Sequence, residues 1–130
     1  MKFQPEKTDA TLITAYDAGG IHVGLERIEQ SIVLGSHGER FDWQAASLEE
    51  LTAEHFERLG ASKPELIIFG SGAKLRFVHP KLLASLMQAH IGVETMDTPA
   101  ACRTYNILAG EGRHVVGAFL IEGELNKITA

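Results

Sequence analysis

Polar and apolar positions alternate in short runs through the first third of the chain, then give way to longer apolar blocks separated by helical patterns. Thr11 to Tyr16, with apolar Leu12 and Ile13, predicts a strand, and Asp17-Ala18-Gly19-Gly20 a turn. Ile21 to Leu25 predicts a second strand, with Ile21, Val23 and Leu25 on one face and His22 and Gly24 on the other. Ser31 to Leu34 predicts a third, and Ser36-His37-Gly38 turns it toward Glu39 to Trp43. Short strands joined by short turns predict an antiparallel meander.

The period then changes. A helix follows with two candidate starts. Ser47 has Glu50 three residues on, a capping-box spacing; Thr52 is the rival cap and places Leu51 and Phe56 where a hydrophobic staple needs them. Either way the helix runs through Leu59 and stops at Gly60. Glu65-Leu66-Ile67-Ile68-Phe69, introduced by Pro64, is a short β-branched run and predicts a strand buried on both faces. Lys74 to Val78 is irregular or a short edge segment. Pro80 opens a helix with Leu82, Leu83, Leu86 and Met87 at helical spacing. Gly92 to Met96 predicts a strand, Pro99 to about Ala109 a helix, and Arg113 to Ile121 a strand. Asp97 or Thr98 caps that helix, and Pro99 suits its first turn, where a missing N–H costs nothing. Strand, helix, strand, helix, strand predicts an α/β layered sheet with right-handed crossovers. The strands of the first third add edges or a second small sheet, so the sheet is mixed.

Composition narrows the class. The chain has 130 residues, 45% hydrophobic and 22% charged, which suits one globular domain with its own core, expected over about 11–122 with loosely held tails at 1–9 and 123–130. A net charge of −5 disfavours bulk association with nucleic acid or anionic membranes. A single cysteine, Cys102, forbids an intrachain disulfide. The first ten residues carry Glu6 and Asp9 without an apolar run, unlike a signal peptide, and no apolar run reaches the ~20 residues that span a bilayer. The expectation is a cytoplasmic protein without membrane insertion.

Candidate chemistry concentrates at two predicted strand ends. Gly70-Ser71-Gly72 follows a buried strand, where ligands bind in open α/β sheets, and glycines let backbone N–H groups approach an anion. The motif lacks the third glycine of a dinucleotide fingerprint and the Gly-Lys-Ser/Thr of a P-loop, so a tight turn is the competing and favoured reading. The helix start at Asp97 and Thr98 should lie beside it, with N–H groups and dipole favouring an anion, and Arg103 able to clamp a carboxylate or phosphate. Against that, Asp97 can satisfy the helix start itself and Arg103 can pair with Glu94 or Asp97. Cys102 is the candidate nucleophile. It shares a helix face with Ala101, Tyr105, Leu108 and Ala109, which favours a buried small hydrophobe. Asn106 bonds to a neighbouring loop or sits at the helix surface. The six histidines show no metal-ligand spacing, so neither a metal nor another cofactor is expected. Glu49-Glu50 and Glu122/Glu124 read as solvated surface. Trp43 with Phe41 closes the core beside the meander.

Pro64 to Gly72, Arg76-Phe77, Gly92 to Asn106 and Glu111-Gly112-Arg113 together resemble the Mth-938-like domain family, a family of unknown function. The resemblance covers roughly Thr11 to Glu122 and is most specific at Met96-Asp97-Thr98 and Ala101 to Asn106. It implies a single three-layer α/β domain, with a mixed central sheet, helices and an additional small antiparallel β layer. It also implies no established enzymatic activity or cofactor. Eukaryotic relatives include a mitochondrial complex I assembly factor and an adipogenesis-associated protein. The family's loop usually carries threonine between its glycines; Ser71 keeps the hydroxyl and loses the β-branch.

Two functions follow. The first is a non-enzymatic protein-binding or complex-assembly module, offering the sheet edges of the first third to a partner or to a second copy in a homodimer. The second is a small-anion or metabolite site, or an enzyme, at Gly70, Ser71, Gly72, Asp97, Thr98 and Arg103, with Cys102 in the enzymatic variant.

Overall fold

A five-stranded mixed sheet runs through the middle of the molecule, as the computed structural model shows for residues 11–123. The tails expected at 1–9 and 123–130 lie outside the described residues, Gly123 excepted. The first three strands, β1 (Ala15–Asp17), β2 (Gly20–Val23) and β3 (Glu26–Ile28), form a separate antiparallel sheet. The next two, β4 (Ile32–Gly35) and β5 (Arg40–Asp42), pair as a hairpin. Helix α1 (Ala53–Leu59) leads to β6 (Leu66–Gly70), α2 (Ala84–Gln88) to β7 (Gly92–Met96), and α3 (Thr98–Gly110) to β8 (Val115–Phe119). The order across the large sheet is β5-β4-β8-β6-β7; β6 is parallel to both neighbours, and β4 is antiparallel to β5 and β8. This is the mixed sheet that the pattern predicts; of the two places the pattern leaves open for the first strands, the structure has the second small sheet, the added antiparallel layer that the resemblance implies.

Alternation along the strands divides the core in two. Ile32, Leu34, Ile68, Val115 and Phe119 face one side, with Ala101, Cys102, Tyr105 and Ala109 of α3 and Ile21 and Ile28 of the small sheet. Val33, Ile67, Phe69, Val116 and Ala118 face the other, with Phe56, Leu59 and Leu86 of the remaining helices. Trp43, fully buried, sits edge-on to Phe56 and Phe69 and donates Nε1–H to the His55 carbonyl at 3.1 Å. Phe41 is half-buried on the same side, beneath the Arg58 guanidinium at 4.3 Å.

Several boundaries differ from the sequence pattern for local reasons. β1 starts at Ala15 because the preceding backbone bonds to α3: Asn106 accepts from Ile13 N–H and donates to its carbonyl, and Tyr105 donates to the Thr11 carbonyl. The second strand ends at Val23. Gly24 and Leu25 form the turn into β3, and Leu25 is fully exposed rather than on the Ile21 face. Thr52, not Ser47, caps α1. Its partner in the capping box is His55, Leu51 and Phe56 are both buried, and Glu50 accepts from Ala46 N–H instead. Leu48–Glu50 is a single 3₁₀ turn. The helix at Pro80 also begins as 3₁₀, over Pro80–Leu83, and buries Leu86 while Met87 stays 63% exposed.

Candidate functional site

Parallel pairing of β6 with β7 sets Gly70 opposite Met96, so the loop after Gly70 and the start of α3 meet at one rim. They are bonded to each other. Thr98 N–H donates to the Gly72 carbonyl at 2.7 Å, and Gly72 N–H donates to Thr98 Oγ1 at 2.8 Å. Thr98 Oγ1 in turn donates to the Leu120 carbonyl at 2.8 Å, while Leu120 N–H reaches the Gly70 carbonyl at 2.9 Å. One threonine hydroxyl thus joins the ends of β6, β8 and α3. The approach is close at Gly70: a Cβ there would lie 3.0 Å from both Ala101 Cβ and Thr98 Cα, so the start of α3 would have to give way by a few tenths of an ångström.

Ser71 is buried and holds the outgoing chain. Its N–H donates to the Met96 carbonyl at 2.8 Å, its Oγ lies 2.7 Å from the Lys74 carbonyl, and it accepts from Arg76 N–H at 2.9 Å. Arg76 folds back beneath the loop, donating to the Ser71 carbonyl and to Glu122 Oε1, each at 2.7 Å. Gly72, at φ +102°, leaves room for that guanidinium, which a Cβ would meet at 2.6 Å. Glu122 also accepts from Leu48 N–H at 3.3 Å. The Glu122 carboxylate is therefore part of the rim, not solvated surface.

The start of α3 is closed by its own cap and by the loop after β6. Asp97 accepts from Ala100 N–H at 2.8 Å, Pro99 has no N–H, and Thr98 N–H is engaged by Gly72. The groups an anion would need there already have partners. Arg103 is exposed, and its guanidinium lies 2.5 Å from the Tyr16 hydroxyl rather than against Glu94 or Asp97. Cys102 is buried on the sheet-facing side of α3, and desolvation pushes its thiol up to about 12. Burial likewise raises the Tyr105 phenol, whose ring packs edge-on to Phe119.

A cleft of about 180 Å³ opens between this rim and the β1–β2 turn, lined by Tyr16, Ala18, Ile21, Thr98, Pro99 and Ile121 among others. Its acidic wall, Asp17, is held well below the usual carboxylate range, first by the Arg27 hydrogen bond and then by those from Gly19 N–H and His22. Arg103 does not border the cleft.

At the opposite end of β8 lies a cluster that the sequence pattern does not reveal. Glu39 Oε2 lies 2.7 Å from His114 Nε2 and accepts from Ser62 Oγ at 2.6 Å, while Glu39 Oε1 accepts from His37 N–H. The His37 and His114 rings stack 3.6 Å apart. Glu39 loses solvation here, which raises its pKa, but hydrogen bonds from Ser62 and His114 outweigh this and lower it overall. Ser62 and Glu39 both address the same imidazole nitrogen, so this is not the relay of a catalytic triad. No motif spacing links these residues; only the fold gathers them. Among the described residues, no group of three or more His, Cys, Asp or Glu side chains is placed to hold a metal ion.

Comparison with known proteins places this architecture. The chain is 35% identical over 120 residues to the mouse protein named NADH dehydrogenase [ubiquinone] 1 alpha subcomplex assembly factor 3, and 32% identical to the human protein of that name. Each match takes in 91% of this chain and 64% of the relative, so the chain spans about 64% of the length of those curated relatives. A crystal structure of a Bordetella parapertussis protein matches with TM-score 0.83 and 35% identity, covering 89% of this chain and 99% of the other. A solution structure of a Bordetella pertussis protein described as a Mth938-like domain matches with TM-score 0.81 and 30% identity, covering 95% and 94%. The family described as protein of unknown function (DUF498/DUF598) matches residues 13–120, and the chain belongs to it.

Proposed function

We propose that this chain is a non-enzymatic, cytoplasmic module that binds protein partners and assists assembly of a larger complex. The observation that carries the reading is its 35% identity, along 91% of its length, with a protein named as an NADH dehydrogenase assembly factor. On that likeness the partner is a subunit of an NADH dehydrogenase. The rim supports the reading, because its N–H groups and hydroxyls are satisfied by one another. So does Cys102, whose raised pKa leaves almost no thiolate near neutrality. The outer strands β1 and β3 of the small sheet, and β5 and β7 of the large one, offer backbone edges to a partner strand or to a second copy of the chain.

The test is genetic and biochemical together. Deleting the gene should lower assembled NADH dehydrogenase on native gels several-fold, and both the wild-type chain and Cys102→Ser should restore it. Normal assembly without the chain would overturn the proposal. Failure of Cys102→Ser alone, with its fold intact, would instead favour a catalytic thiol. The competing anion or metabolite site at Gly70, Ser71, Gly72, Asp97, Thr98 and Arg103 predicts a thermal upshift with inorganic phosphate or a carboxylic acid that Arg103→Ala abolishes; the assembly reading expects neither.

A further inference from the structure

Between Glu65 and Glu94 the sequence contains no acidic residue, although the chain carries seventeen in all. That interval holds Lys74, Arg76 and Lys81, so a protein of net charge −5 has one locally cationic segment. Within the interval Ile67 to Gly70 are buried strand; the stretch from Ala73 to Lys81, a loop running into the 3₁₀ turn at Pro80, lies largely at the surface.

The loop inverts the usual placement of polar and apolar side chains. Arg76 points inward, fixed by Ser71 and by Glu122 at 2.7 Å. Its neighbours in this extended run point the other way: Leu75 is 53% exposed and Phe77 70% exposed. Val78 turns back toward the core beneath α1 and α2, and His79 faces outward again. Turning the arginine head inward onto Ser71 and Glu122 therefore leaves two large apolar side chains in water. Lys74 and Lys81 flank them, and among the described residues neither makes an ion pair.

We propose that the 73–81 loop docks this protein on an anionic lipid bilayer, with Leu75 and Phe77 entering the interfacial region and Lys74 and Lys81 on the headgroup phosphates and carboxylates. Apolar side chains standing between unpaired lysines match a surface that is negative outside and apolar within. A stable protein interface needs about 800 Å² on each partner with an apolar centre. Two side chains on an irregular loop fall short of that; joined to the two lysines they match shallow, reversible membrane contact, in which an apolar and a basic signal act together. The proposal goes beyond the assembly reading and does not depend on it.

Co-sedimentation of the full chain with vesicles tests it, using phosphatidylcholine alone and phosphatidylcholine with one third phosphatidylserine. The bound fraction should be about tenfold higher on the anionic vesicles at low salt and should fall as salt rises. Leu75→Asp with Phe77→Asp should reduce it to the neutral-vesicle level, and so should Lys74→Glu with Lys81→Glu. Ile107→Asp, at an exposed position on α3, should leave it unchanged. These side chains are exposed, so thermal melts of all variants should match wild type. Absence of wild-type binding, or binding that survives both double substitutions, would overturn the proposal. So would a result in which vesicles stay unbound while the Leu75/Phe77 variant loses a purified protein partner, which would assign the loop to a protein.

Discussion

Two hydrogen-bonded knots close the two ends of β8, and they are made of different chemistry. At the carboxyl end, Thr98, Ser71 and backbone groups tie β6, β8 and α3 together through neutral donors and acceptors, with the Arg76–Glu122 pair beneath. At the amino end, Ser36 bonds the backbone on both sides of His114, and the His114 ring meets Glu39, which Ser62 and His37 also address. The first knot depends chiefly on groups that do not titrate. The second depends on a carboxylate whose charge is an acceptor for three neighbours. The comparison teaches that polar residues at a strand end need not signal a ligand: here each set completes hydrogen bonding that the sheet leaves open.

The largest effect should come from breaking the neutral knot. Thr98→Val removes the acceptor of Gly72 N–H and the donor to Leu120, and should cost about 2–3 kcal/mol in urea unfolding. Thr98→Ser keeps both bonds and should cost less than about 1 kcal/mol. A larger cost for Thr98→Ser than for Thr98→Val would mean that methyl packing, not the hydroxyl, holds the rim.

The charged knot should respond to acid. Glu39 has a folded-state pKa below its ordinary 4.5, so its contribution is present above that value and is lost as pH falls through the lowered one. Glu39→Gln should cost about 1–2 kcal/mol at neutral pH. The gap to wild type should close as pH drops below about 4.5. A gap that stays constant with pH would show that the carboxylate charge is immaterial. Thr98→Val should show no such closure. The smallest effect belongs to Arg103→Ala, which removes an exposed bond to Tyr16 and should change stability by less than about 0.5 kcal/mol.

What was legible in the sequence tracks how local the determinants are. Asp97 and Pro99 mark the start of α3 within three residues, and β7 has the predicted limits. The meeting of the two strand-end loops follows from parallel neighbours and needed no knowledge of side chains. Glu26 and Arg27 hid β3, because its strand character comes from pairing with β2 and only Ile28 is buried. Thr11 to Ile13 has the right pattern for a strand but gives its backbone to Asn106 and Tyr105, more than ninety residues away. The role of Arg76 was equally hidden: its partner, Glu122, lies 46 positions on. The Glu39–His114 contact spans 75 positions and carries no spacing signal.

Amide hydrogen exchange at Gly72, Thr98 and Ala100, measured with and without inorganic phosphate, addresses the rim most directly. These three N–H groups should exchange slowly, protected by Thr98 Oγ1, the Gly72 carbonyl and Asp97, and phosphate should leave their rates unchanged. Fast exchange in the free protein that phosphate suppresses would show that these donors await an anion, and would contradict the claim that the rim is complete in itself.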